Sequence, residues 1–237
     1  MHMPKCGGTS ISEAMYATVP LGRGVTVLDA VSTRRAAAML AHGRDEPSLC
    51  HEDLSDPAPV FALREGMMLQ AMAWGSLLIH GHVLYSERAE AHFGDCYRLV
   101  TLFRDPIERT ISNYRMARRN GVTGDGLDVY LDSPLARTHG QVYLRYLSGR
   151  AMVAPGEEGE ALDVALARLG RFAVVGFLDD LPGFLRRYRA AFGVPLAVRN
   201  YNQGSGEAPD LRPAQREKLA ALCAADQAIF DRARSMA

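Results

Sequence analysis

Two short stretches carry residue types that could hold an anion between them. The first is Pro4-Lys5-Cys6-Gly7-Gly8-Thr9-Ser10, a lysine and two glycines leading into two hydroxyl residues and then an apolar-periodic run. Lacking a Cβ, Gly7 and Gly8 let the backbone turn sharply enough to aim several N–H groups at one anion. Ser10 followed by Glu13 has capping-box spacing, which predicts a helix N-terminus, with its unpaired N–H groups and partial positive charge, just past the glycines. Lys5 adds a mobile point charge. A Walker A loop has its lysine directly before the Ser/Thr; here the lysine precedes the glycines, which disfavours an ordinary ATP or GTP site. Taken alone, the stretch reads equally as a helix-capping turn with a surface lysine.

The second stretch runs from Tyr97 to Tyr114. Residues 97–103 are apolar, β-branched and free of breakers, as in a buried strand. Asp105 as N-cap, Pro106 at the first helical position and Glu108 three residues after Asp105 then start a helix. Arg104 thus falls at the C-terminal tip of a strand. Ser112 lies two helical turns from Asp105 on nearly the same face, so an arginine and a serine can converge on one oxyanion. The alternative is a well-capped amphipathic helix whose Arg104 makes a surface ion pair.

A third pattern, Leu77-Leu78-Ile79-His80-Gly81-His82, places two histidines on one side of an extended backbone at the end of an apolar strand. Open α/β sheets bind their ligands at such strand ends. The pair could supply a catalytic base, or simply hydrogen-bond loop carbonyls. A metal site lacks a third ligand of suitable spacing.

Together the first two stretches resemble the sulfotransferases that use 3′-phosphoadenosine 5′-phosphosulfate (PAPS), in the branch that contains the heparan and uronyl 2-O-sulfotransferases. The resemblance rests on Lys-x-Gly-Gly-Thr-Ser near the start and Arg-Asp-Pro-x-x-Arg-x-x-Ser-x-Tyr roughly a hundred residues later. It implies a single-domain, P-loop-like α/β fold over residues 1–237, with a central parallel sheet flanked by helices. It implies that Lys5, Cys6, Gly7, Gly8, Thr9 and Ser10 bind the 5′-phosphosulfate, and that Arg104 and Ser112 hold the 3′-phosphate. A His-Gly-His at a strand end also occurs in these relatives, where histidine is the proposed base, so His82 or His80 takes that role beside Lys5, with His82 favoured. The acceptor becomes a hydroxyl, most naturally of a carbohydrate, and the chemistry needs no metal. Two rivals from other classes are a P-loop kinase or NTPase and a non-catalytic nucleotide-binding module.

The elements that must position these residues follow from the rest of the chain. At 237 residues one domain with a sizeable core is expected. Lys+Arg and Asp+Glu are equal at 27 each, so no global field favours nucleic acid, a membrane surface or a densely sulfated acceptor. The lack of an eighteen-residue apolar run or a signal-peptide pattern predicts no membrane span and a soluble protein, by resemblance a bacterial cytoplasmic one. Four scattered cysteines, Cys6, Cys50, Cys96 and Cys223, predict free thiols, with Cys6 contributing its backbone N–H rather than acting as a nucleophile.

Helical and strand-like segments alternate. Helices are expected at 11–19, 33–41, 61–74, 160–169, 179–192 and 211–234, with further helical pieces in 127–147. Strands are expected near 25–28, 76–80, 97–103 and 172–177. Such alternation predicts a parallel sheet. Only Met1-His2-Met3 precede Pro4, where the resemblance expects a buried strand; that strand is either very short or encoded further upstream. The Arg115, Arg118 and Arg119 cluster reads as a solvated helix face, and 200–209 as a loop that in relatives closes over the nucleotide.

Overall fold

A computed structural model of the protein describes residues 1–20, 24–198 and 211–237; the expected loop at 200–209 lies outside them. The protein is a mixed α/β chain, mostly helical, whose strands pair in parallel. Its first half runs α1 (Gly8–Tyr16), β1 (Val25–Leu28), α2 (Ala30–His42), α3 (Ala58–Ala73), β2 (Leu78–Gly81), α4 (Glu87–Phe93), β3 (Leu99–Phe103) and α5 (Pro106–Arg119). The second half runs α6 (Leu127–Leu131), α7 (Pro134–Gly140), α8 (Val142–Ser148), α9 (Glu158–Leu169), β4 (Phe172–Phe177), α10 (Leu181–Phe192), α11 (Pro213–Leu222) and α12 (Ala224–Met236).

Local chemistry explains several boundaries. Asp105 caps α5 by accepting the Glu108 N–H at 2.9 Å, and Pro106 occupies the first turn. Asp180 caps α10 through the Gly183 N–H, and Asp29 caps α2 through Ser32. The expected single helix at 211–234 is instead α11 and α12, meeting at Cys223. The break turns α12 so that Asp226, in its first turn, reaches the core, while the Cys223 thiol packs 3.3 Å from the Thr110 hydroxyl.

Strand β1 pairs with β2, and β3 with β4, both in parallel. Where one central sheet was expected, these are two separate pairs. The main chain at the N-terminus lies between them: the His2 N–H donates to the Gly81 carbonyl of β2 at 3.1 Å, and the Met1 amine to the Val100 carbonyl of β3 at 3.0 Å. Two residues are too few to form a strand of ordinary length.

The main core is built around α8, every residue of which is buried. An all-round buried helix needs cover on every side, and its cluster includes Phe103 of β3, Phe177 of β4 and Phe230 of α12. Leu144 and Leu147 are fully buried, each contributing roughly 1.5–3 kcal/mol over an exposed position. Gly176 in β4 is required by packing, since a Cβ there would meet the Phe184 ring of α10 at 2.2 Å. All four cysteines are free, Cys96 exposed and the other three buried. No described helix is long and apolar enough to cross a membrane.

Candidate anion-binding and base site

The glycine loop is conformationally unusual. Lys5 has φ 62°, the one positive φ outside glycine among the described residues, and Gly7 follows at φ 73°. For an L-residue with a side chain the left-handed conformation costs about 1–2 kcal/mol, so Lys5 is held there by its surroundings. A Cβ on Gly7 would also meet Leu178 Cδ1 at 2.6 Å. Helix α1 starts at Gly8 with Gly7 as N-cap and no side-chain cap. The capping box expected from Ser10 and Glu13 is therefore not formed. The helix begins three residues earlier because a left-handed Gly7 turns the chain at once, leaving Gly8, Thr9 and Ser10 as its first turn. A first turn that no side chain caps keeps N–H groups available to an anion.

One tyrosine ties the two sequence motifs together. The Tyr143 hydroxyl donates to the Arg104 carbonyl at 2.6 Å and accepts the Arg104 N–H at 2.9 Å. Its oxygen also lies 3.3 Å from Cys6 Sγ; with the hydroxyl proton committed to Arg104, the thiol is the donor. Burial pushes the Cys6 thiol up, so it stays protonated and serves as a tether.

Tyr143 is fixed in turn from α12. Asp226 accepts the Tyr143 and Leu144 N–H groups at 2.9 and 2.8 Å, capping α8. It also takes a 2.9 Å bond from Arg109, whose guanidinium carbon stands 4.8 Å above the Tyr143 ring. Arg109 and Asp226 are both fully buried.

Three cations gather at the loop. Lys5 Nζ rests 3.7 Å from Met116 Sδ on α5, and Ser112, half-buried, is one turn before Met116. Burial, then the positive charges of Arg119 and Arg104, lower the Lys5 pKa. Arg104 keeps its guanidinium toward solvent, in a 3.2 Å pair with Glu108, which is the surface ion pair that its position also allowed. No hydrogen bond joins Arg104 to Ser112. Arg115, Arg118 and Arg119 are exposed, as the solvated-face reading has them, and the charge of Arg119 also acts on Lys5. Tyr143 and Asp226 also escaped the sequence reading as site residues, because their work is to bond backbone groups far away in the chain, which leaves no local spacing signal.

His80 and His82 project to one side as strand alternation predicts, and both stack on His2, at ring separations of 4.8 and 4.5 Å. His80 Nδ1 shares a 3.0 Å hydrogen bond with the Tyr16 hydroxyl of α1. Burial, then the charges of the N-terminal amine and His82, lower His80 to about 4. His82 Nδ1 sits 3.0 Å from the His2 carbonyl. A carbonyl can only accept, so Nδ1 carries the proton and Nε2 keeps the lone pair. Burial also lowers the His82 pKa. The imidazole is thus neutral near pH 7, with its basic nitrogen defined. Residue 2, which holds His82, is three residues before Lys5, a reach of about 10 Å at most.

A cavity of about 950 Å³ is a separate feature. It is lined by Met1, His2, Tyr16, His80 and the facing parts of β2 and β3, and not by Lys5, Gly7 or Arg104. Among the described residues no group of three His, Cys, Asp or Glu side chains is placed to hold a metal. No protein-family model matches the chain, and no curated protein matches it.

Proposed function

We propose that the protein is a PAPS-dependent sulfotransferase acting on a hydroxyl acceptor, with a P-loop-like arrangement of its parallel strands. The observation that carries the reading is the Tyr143 clamp. It ties Cys6 of the glycine loop to the backbone of Arg104, so that the two stretches suited to opposite ends of one bisphosphorylated nucleotide are neighbours. The group fits these residues: an uncapped helix start, a glycine that a Cβ would crowd against Leu178, and three cations around the loop.

When bound, PAPS supplies the sulfuryl group to be transferred. The residues of this chain then have two tasks. On the acceptor side, His82 Nε2 takes the proton of the attacking hydroxyl as the new S–O bond forms. On the opposite side, Lys5 and the N–H groups at the start of α1 stabilise the charge that grows on the departing phosphate oxygen. Arg104 and Ser112 hold the 3′-phosphate. Positioning and preorganised charge supply most of the acceleration, as in phosphoryl transfer. A carbohydrate acceptor rests on the family resemblance alone.

The test is thermal stabilisation by adenosine 3′,5′-bisphosphate, set against 5′-AMP and ATP. At a hundred times its dissociation constant a ligand specific for the folded state adds about 2.7 kcal/mol, or about 5–10 °C for a chain of this size. Stabilisation by the bisphosphate alone supports the reading, whereas an equal or larger shift with ATP would replace it with the kinase or NTPase alternative.

A further inference from the structure

His82 lies one position past the end of β2, where the parallel ladder stops holding the main chain. Arg64 of α3 takes over there. Its Nη1 donates to the His82 carbonyl at 3.2 Å, its Nη2 to the Ala30 carbonyl at 3.2 Å and its Nε to the Thr33 hydroxyl at 2.9 Å. The guanidinium is fully buried, so one planar fork of donors joins α3 to the first turn of α2 and to the residue that follows β2.

Glu52, in the segment between α2 and α3, holds that fork in place. Its carboxylate pairs with Arg64 Nη2 at 2.5 Å and also with Arg34 of α2, and it is itself buried. A buried ion group is weak evidence for stability, because apolar residues of the same volume often serve as well. What this one specifies is geometry. The imidazole is fixed at its other end by the Nδ1–H bond to the His2 carbonyl, so the ring and the main chain of His82 are each held by a directional bond.

We propose that Arg64, aligned by Glu52 and Thr33, is the positioning residue of the base, fixing the His82 main chain so that Nε2 meets the acceptor hydroxyl. The inference rests on the sulfotransferase reading for what Nε2 receives, and on the hydrogen bonds alone for what holds it. Charge adds a second consequence. The groups that face the imidazole are His2, stacked on it, His80 across His2, Arg64 from α3, Arg34 from α2, and Glu52. Burial lowers the His82 pKa most and the His2 carbonyl bond opposes it; beyond these, the Arg64 charge lowers it and the Glu52 charge raises it. Removing one charge or the other should therefore move the base in opposite directions. A general loss of stability would not.

The experiment follows the His82 ring nitrogens by NMR from pH 8 to 5 in protein labelled with nitrogen-15 histidine, with His82→Gln to assign the signal. Wild type should show the Nδ1–H tautomer. Arg64→Met should raise the His82 pKa and Glu52→Gln should lower it, whereas Thr33→Val leaves every charge in place and should lower turnover alone. Turnover is read as hydrolysis of PAPS to adenosine 3′,5′-bisphosphate and sulfate, with water standing for the acceptor. Its kcat should fall about tenfold to a hundredfold in Arg64→Met at an unchanged KM. If Arg64→Met does not fold, Glu52→Gln and Thr33→Val carry the same test. Wild-type titration and kcat in those two variants, or shifts of one sign in Arg64→Met and Glu52→Gln, would overturn the inference. A wild type that neither binds the bisphosphate nor hydrolyses PAPS overturns the sulfotransferase reading instead, and the titration then still decides whether Arg64 sets His82.

Discussion

The Tyr143 hydroxyl donates to the Arg104 carbonyl at 2.6 Å and takes the Arg104 N–H at 2.9 Å, so a single side chain satisfies both backbone groups of the residue at the tip of β3. Tyr143→Phe would leave both groups without that partner beside a buried thiol. The expected loss is about 1–3 kcal/mol, or a fall of about 3–10 °C in melting temperature. Calorimetry of the variant, with titration of adenosine 3′,5′-bisphosphate, checks it. An unchanged Tm and affinity would mean that the clamp does not hold the loop.

Arg104 and Lys5 separate stability from binding. The Arg104–Glu108 pair is exposed enough to contribute no more than about 1 kcal/mol, so Arg104→Ala should fold normally. Its affinity for the bisphosphate should fall roughly tenfold to a hundredfold, the value of a charged hydrogen bond. Equal affinity in wild type and variant would remove Arg104 from the nucleotide site.

Lys5→Gly should raise stability and lower turnover together. Glycine adopts φ 62° freely, so relief of a strain of about 1–2 kcal/mol should lift the melting temperature by a few degrees, less the entropy that glycine adds to the unfolded chain. Losing the ammonium from the leaving-group side should cut sulfuryl transfer by about 100-fold or more. Thermal melts and single-turnover transfer read the two effects, and a variant that melts lower would show that Lys5 is not strained.

The Arg109–Asp226 pair is fully buried, and Arg109 Nε and Nη1 already lack partners. Asp226→Leu would leave the guanidinium unpaired and two α8 N–H groups uncapped, costing about 3–5 kcal/mol. The double variant Arg109→Met/Asp226→Leu should recover part of that loss. Urea denaturation of both variants decides the matter. If the double variant is no more stable than the single one, the cost lies in the α8 cap and not in the stranded charge.

Acid should destabilise the fold through the histidines. The His80 pKa is lowered to about 4 in the folded state, against about 6.5 unfolded. The unfolded chain therefore binds the proton first as pH falls. The stability that comes from keeping His80 neutral is fully present above pH 6.5 and is lost progressively between 6.5 and 4, up to about 3 kcal/mol. His82, also lowered, acts in the same direction. Melting curves from pH 8 to 4 should show a flatter decline for His80→Gln, and parallel declines would remove His80 from the effect.

Much of this arrangement is written in short-range chemistry. Asp105-Pro106 starts α5, the β-branched run of β3 puts Arg104 at a strand tip, and the alternation of His80 and His82 sends both rings the same way. Each depends on neighbours within four residues, which is the range at which capping, steric preference and side-chain alternation operate. Ser10 and Glu13 had the same local form and failed, because a left-handed Gly7 starts α1 before they could cap it.

What depended on the folded molecule is everything that joins distant residues. Nothing in the spacing of Tyr143 indicates that its hydroxyl closes on Arg104, thirty-nine positions earlier, or that Asp226 caps α8 from eighty-three positions away. Arg119 looks like any exposed helix arginine until the loop brings Lys5 against α5. Local sequence sets backbone conformation through a few rotatable bonds, whereas these contacts exist only once burial of the core around α8 has brought separate elements to hydrogen-bonding distance.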